Sequence, residues 1–440
     1  MTPYLFLLGF AVGTVLTIVR HPIWGLYTYL FTFYMAPAYT WWRDDVPDMR
    51  YLAIIGAITL IATLRLPPDP NRPKWHQTTI ARLYLLFVAY TWLQMAWAVD
   101  KDWQLEGAVM FTKHAVAFYL FYRLADSLDR IIKIALVHVV GCAWFGYQAL
   151  GAGSGRLEEI GGAVAGANEL GMHLTTGLLF GGIMLFAVRG ARRLLTFGCL
   201  PLIANCLVLT VSRGAFLGMV VGGAAGYLAI PKNLKKIYIG CAMLGLVLFG
   251  MLAHNALIER FTATYAAFTG QAELDRSAFS RTEVAKAGIR IGLDYPFGAG
   301  YRATGVLSPR YMDESLLGVS GVRTAHNSSA ALFAEQGFIG LGLYYLMILW
   351  VLRTMRRMKA LDRLGTPREY LLCMAFLGAS LLSVYAAGNF SNNVGMETQY
   401  WVLALLAAAY ELQKAEARSR VAAPAEAQQV LSNTGLTAQT

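Results

Sequence analysis

An arginine at the start of one apolar run, an arginine heading a polar segment and a histidine at the foot of another run are the side chains in this sequence best equipped for chemistry. Arg213 stands in TVSRGAF, Arg281 in SRTEVAKAGIRIGL, and His326 in RTAHNSSAALF, three residues after Arg323. A guanidinium keeps its charge and offers an oxygen anion a planar fork of donors. An imidazole titrates near neutrality and so takes a proton from a hydroxyl. Each also fits a plainer description. Arg213 reads as an arginine snorkelling from a helix end, Arg281 as a solvated helix residue and His326 as an interfacial histidine. Lys113, beside His114, lies inside an apolar run. A buried ammonium there is costly and points to function, unless a carboxylate such as Glu106 pairs with it.

Several other chemistries lack their motifs. The sequence holds no P-loop, no Rossmann glycine fingerprint and no HExxH. Asp100-Lys101-Asp102 is formally a D-x-D, yet two carboxylates are a weak metal signal, and capping of a helix near Trp103 accounts for them. No metal and no cofactor is expected. Cys142, Cys199, Cys206, Cys241 and Cys373 all lie within apolar runs without CxxC spacing and read as packing residues.

The elements that must position these groups are membrane helices. Of 440 residues 57% are hydrophobic and 14% charged, against about 25% charged in a soluble protein. Apolar runs of about twenty residues recur along the whole length and do not alternate, which excludes a β-barrel. The spans fall near 3–20, 22–40, 51–65, 80–99, 106–124, 131–150, 168–189, 193–211, 214–230, 237–253, 329–352, 370–388 and 396–411. The first lacks a basic n-region and a cleavage site, so it reads as a retained helix. A net charge of +11 invites a nucleic-acid partner, but the basic residues sit in short clusters between spans, the positive-inside pattern. Arg189, Arg192, Arg193, Lys232, Lys235, Lys236 and the cluster from Arg353 to Arg368 thus belong on the cytoplasmic side.

The chain then divides into 1–253, ten spans; 254–328, one long outer loop; 329–412, the last spans; and 413–440, a disordered cytoplasmic tail by composition. Thirteen spans put the two termini on opposite sides and twelve would put both in the cytoplasm, so one early span, or 389–411, is expected to be re-entrant or broken. Within the loop, 254–279 reads as mixed and helical. Ser280 and Glu283 are spaced as a capping box, after which Arg281, Ala285 and Gly288 share one helix face. DYPFGAGYRATG is turn chemistry.

TVSRGAF, SRTEVAKAGIRIGLDYPFGAGYR and AHNSSAALFAEQGFIGLG, in this order, resemble the O-antigen ligase family, the WaaL/Wzy_C superfamily. The resemblance spans roughly residues 205–345; the remainder is similar only in hydropathy. It implies a GT-C-like, all-α polytopic membrane protein of 12–13 transmembrane helices, in the bacterial inner membrane, with a periplasmic loop containing helices and an active site facing the periplasm. It implies a polyprenyl (undecaprenyl) pyrophosphate-linked glycan as donor, a sugar hydroxyl of lipid A–core as acceptor, and inverting transfer without metal. His326 then falls at the family's catalytic histidine, and Arg213 and Arg281 at its pyrophosphate-binding arginines. Arg323 and Lys113 are added as phosphate ligands, with Arg302 and Arg310 behind them. O-antigen polymerases and protein O-oligosaccharyltransferases share the motifs. A transporter of lipid-linked sugar fits less well, since no internal repeat is found and the singular residues gather on one face.

Overall fold

The computed structural model describes residues 2–151, 157, 164, 166–252, 262, 276–317 and 321–434. Most of the outer segments 151–167 and 254–279 therefore lies outside the described residues. The described part is helical, without a strand. The helices are α1 (Thr2–Val19), α2 (Ile23–Met35), α3 (Tyr51–Leu64), α4 (Thr79–Leu93), α5 (Lys101–Leu124), α6 (Leu128–Ala149), α7 (Gly166–Met184), α8 (Ala191–Thr210), α9 (Arg213–Ala229), α10 (Lys235–Leu252), α11 (Arg276–Asp294), α12 (Ala303–Tyr311), α13 (Glu314–Leu317), α14 (Ser328–Leu361), α15 (Glu369–Ala387) and α16 (Glu397–Thr434). Each expected span coincides with one of them.

Five stretches among the described residues are long and apolar enough to cross a membrane: Thr2–Val19, Ala191–Thr210, Lys232–Met251, Ser328–Leu364 and Glu369–Ala387. Lys232–Met251 makes the physical case, because none of its apolar window is buried in the protein. Ile239, Met243, Leu244, Val247 and Met251 all stand exposed on it. Water would not tolerate so large an unbroken apolar surface, whereas a bilayer accepts a helix whose backbone groups are paired internally. At the other extreme, α15 lies in the middle of the bundle, with 89% of its window buried.

Bonds between the connections sort the helix ends into two faces. On one, His21 Nε2 lies 3.4 Å from Arg130 Nη2, Arg192 pairs with Asp129 at 3.1 Å, and Lys359 Nζ donates to the Leu228 carbonyl. Arg72, buried on the same face, donates to the carbonyls of Tyr122 and Ala125. On the other face, Val99 N donates to Ala299 O at 2.9 Å, Ser212 Oγ to Asn168 Oδ1 at 3.0 Å, and Ser328 N to Gly388 O at 2.7 Å. Phe6 stacks near Trp42, at 5.5 Å between centroids, which puts the start of α1 on this second face. The thirteen helices at the expected spans link the two faces in alternation, and no early one turns back to the face it started from. The 389–396 connection is irregular in another way, as a turn whose Asn393, Val394 and Met396 are buried.

The break lies in α14. Gly337 has φ 61° and ψ −163°, a region essentially closed to residues with a Cβ. The helix ladder is lost there, and the turn 295–300 replaces it. Ala299 N donates to Ala334 O at 2.9 Å, Gly300 N to Glu335 O at 3.0 Å, and Phe338 N to Pro296 O at 3.0 Å. Gln94 Nε2 adds a bond to Glu335 O at 2.9 Å. The Pro- and Gly-rich turn seen in the sequence is thus the plug of a broken helix, and every freed backbone group named here finds a partner.

One expectation is corrected. Helix α11 begins at Arg276, so Ser280 lies within it and is no N-cap. Local capping grammar cannot see a turn added upstream. Helix α16 extends to Thr434, into the 413–440 segment that composition reads as a tail. Its Ala, Glu, Gln and Arg are strong helix formers, and buried Gln413 anchors the extension by donating to Met358 O and Thr366 Oγ1, both at 3.0 Å.

Candidate functional site

Helix α14 starts where chemistry is expected. Asn327 is its N-cap, its Oδ1 accepting from Ala330 N at 3.0 Å while its Nδ2 donates to Asn389 O at 3.1 Å. The cap fixes the preceding residue, His326, half-buried on the face that carries the long loop. Helix α11 packs along the first half of α14, with Gly288 against Ala330 and Val284 clustered with Ala325 and Ala331. Arg281 stands one turn before Val284 on that face, also half-buried. Arg323 is held by its backbone N–H to Ser308 Oγ at 2.8 Å and by Nε to Leu316 O at 2.9 Å. Burial, then Arg281, then Arg323 lower the pKa of His326 below its ordinary 6.5. The imidazole is therefore neutral at pH 7 and fit to accept a proton.

Arg213 approaches the same turn from the other side. It is the first residue of α9, whose N-cap Ser212 accepts from Ala215 N. Its neighbour Gly214 is packed so close to Phe390 that an added Cβ would sit 2.9 Å from the Phe390 Cβ. Arg213 and His326 thus flank the turn 387–391, while Arg281 and Arg323 reach His326 electrostatically. Lys113 stands apart from these contacts in burial alone. It is exposed on α5 while His114 turns inward to stack on Tyr400, 5.2 Å between centroids. Glu106 does not serve Lys113 as the sequence suggested: its Oε1 lies 3.6 Å from Arg302 Nη2. Asp100 caps α5 as expected, accepting from Asp102 N and Trp103 N.

Below His326 a cavity of about 290 Å³ opens between α5, α14 and the 392–396 turn. Tyr301, Arg302, Glu335, Gln336 and Glu169 contribute to its wall. Arg302 is held with its guanidinium 4.1 Å from the Trp103 ring centroid, so a residue that sequence ranked behind Arg323 is fixed at the cavity by α5. Arg310 is exposed. Glu335 and Gln336 went unread except as part of a motif, although a carboxylate inside an apolar run was a legible signal.

Deeper in the bundle, Tyr34 Oη lies 2.5 Å from His138 Nδ1 and 2.9 Å from His173 Nε2, with Cys142 beside them. Thr176 and Thr398 hydroxyls meet the remaining ring nitrogens at 2.8 and 2.9 Å. The donor atoms of His138, Cys142 and His173 lie within 4.8 Å of one another, as metal ligands would, but both rings already have a hydroxyl at each nitrogen.

Residues 197–345 match a family model, Wzy_C, described as O-antigen ligase. The match covers about a third of the chain and contains Arg213, Arg281, Arg323, His326 and the broken half of α14. No curated protein matches the chain.

Proposed function

We propose that this protein is an O-antigen ligase: a GT-C-like glycosyltransferase of the bacterial inner membrane, crossing it thirteen times, with its site facing the periplasm. It moves polysaccharide from an undecaprenyl pyrophosphate donor onto a sugar hydroxyl of lipid A–core. The observation that carries the reading is a half-buried imidazole at the start of a helix, kept neutral by its burial and by the Arg281 and Arg323 guanidinium groups, within the segment that matches the ligase family.

In the proposed step His326 removes the proton of the acceptor hydroxyl, and the oxygen attacks the anomeric carbon. The bond from that carbon to the pyrophosphate oxygen breaks, and the diphosphate leaves with both electrons. Attack opposite the leaving group inverts the anomeric centre. Arg281 and Arg323, with Arg213 across the turn, hold the leaving group, each guanidinium donating in a fork. Such donors, fixed before charge develops, supply several kcal/mol to the transition state, and the base adds about 10²–10⁴-fold. The bond broken is already activated, so the periplasm's lack of ATP is no obstacle.

The test is reconstitution of the purified protein with lipid-linked glycan and, separately, lipid A–core, a growing glycan chain and a Ser/Thr-bearing protein acceptor. Transfer to lipid A–core is expected. Transfer only to growing glycan or to protein would make the chain a polymerase or a protein O-oligosaccharyltransferase, and passage of donor across the vesicle without product would make it a transporter.

A further inference from the structure

The cavity beneath His326 has a lining that the step just described does not use. It holds far more than the roughly 10–15 Å³ that one water needs, at about 290 Å³. Gln336, 2% exposed, lines it, and neither its Oε1 nor its Nε2 has a hydrogen-bond partner. A buried amide left unpaired costs about 1–3 kcal/mol, so its retention at a cavity wall points to a ligand that pairs it. Its side chain lies over Gly340, whose missing Cβ leaves it room. Next to it the Glu335 carboxylate, 8% exposed, accepts from Thr304 Oγ1 at a long 3.4 Å. Both residues sit on the last turn before the break at Gly337. Irregular backbone at membrane depth is tolerated where it lines a cavity, and broken helices mark binding sites in other membrane proteins.

The lining also selects the ligand. Arg302 in the wall is engaged by Glu106 and the Trp103 ring, Glu169 and Glu335 disfavour a phosphate, and a hydrocarbon tail would leave these carboxylates and the Gln336 amide unpaired. Carboxylates and amides bond vicinal hydroxyls well, and Phe111 and Tyr301 offer ring surface to the C–H face of a sugar. The cavity is joined to the cationic cluster at both ends. Asn393 in its wall accepts from Ser328 Oγ at 2.6 Å, two residues from His326. Glu169 follows Asn168, which bonds the Ser212 hydroxyl beside Arg213.

We infer that this cavity is a saccharide subsite seating one sugar ring of the donor glycan or of the acceptor, with Glu335 and Gln336 as its specificity-determining groups. The inference rests on the ligase reading for the identity of the sugar, but the site can be tested by binding alone. Lipid-free glycan repeat and lipid-free core oligosaccharide are titrated separately into the full chain in detergent, by calorimetry and thermal shift. One of the two is expected to bind the wild type and to bind Gln336→Leu and Glu335→Gln at least tenfold more weakly, and that arm names the substrate. Gln336→Leu should melt no lower than the wild type, because it removes an unpaired amide. In the transfer assay KM for that substrate should rise about tenfold with the other KM unchanged, a split that a general disturbance of the fold would not give. Wild-type affinity in both variants, or no binding of either saccharide by the wild type, overturns the subsite. Saccharide binding lost in the variants, together with no transfer by the wild type to any acceptor, would leave the subsite standing and remove the ligase reading.

Discussion

At the scale of the residue, the candidate site is an imidazole whose charge is set by its burial and its neighbours. Burial and two guanidinium groups disfavour the imidazolium, so His326 stays neutral to a pH below its ordinary 6.5. If its neutral form is the base, kcat/KM should fall on acidification with a midpoint below 6.5. Arg281→Gln removes a positive neighbour and should move that midpoint upward. Arg281→Lys keeps the charge and should leave the midpoint in place while raising KM for the donor, since an ammonium lacks the planar fork. An acid limb that ignores the charge at 281 would detach His326 from the proton transfer. His326→Ala should cost at least 10²-fold in kcat with unchanged thermal unfolding, since the Asn327 cap that holds the helix start is untouched. These residues were legible because charge next to apolar sequence is conspicuous. Arg302 was ranked behind them, because what fixes it, Trp103 and Glu106, comes from α5, far away along the chain.

At the scale of the element, α14 is two half-helices joined at Gly337, and the 295–300 turn supplies the bonds that the break removes. A Cβ at Gly337 would run into the Pro296 carbonyl oxygen, and the backbone there, at φ 61°, already excludes one. Gly337→Ala should therefore cost about 1–3 kcal/mol from backbone strain alone, lower the unfolding temperature and abolish transfer by unseating the turn. Gly342→Ala is the matched control, one turn further on the same helix, where an added Cβ meets nothing within 4 Å. Alanine there should be neutral or stabilising by about 0.5–1 kcal/mol, measured by thermal unfolding in detergent. Equal losses at both positions would mean that the break is not a special feature. Sequence shows why this element was half-read. The Pro and glycines announce a turn, and Glu-Gln-Gly sits inside an apolar run, but that one caps the other is a contact between segments some forty residues apart and leaves no local mark.

At the scale of the whole molecule, hydropathy located each of the thirteen helices that link the two faces, because a bilayer demands apolar runs of a fixed length whatever the tertiary packing. It could not settle parity, since a broken span and a whole one carry the same mean hydropathy. The pairing of connections supplies what hydropathy lacks: thirteen helices link the two faces, with the start of α1 on the face of His326 and the end of α16 on the other. The basic clusters around Arg192, Lys235 and Arg356 lie on the second of these faces, and lysine and arginine are retained on the cytoplasmic side. Single cysteines at Asp44 and Thr324 should then react with a charged, impermeant maleimide in intact cells, and cysteines at Arg363 and Arg418 only after permeabilisation. All four positions are exposed. The native thiols give little background, because Cys142, Cys199, Cys206 and Cys373 are buried and Cys241 lies on α10, whose exposed apolar surface faces lipid. Labelling of Asp44→Cys together with Arg363→Cys would place the first connection on the basic face and undo the alternation. Labelling of Thr324→Cys only after permeabilisation would move His326 and its arginines to the cytoplasm, where the proposed periplasmic transfer could not use them.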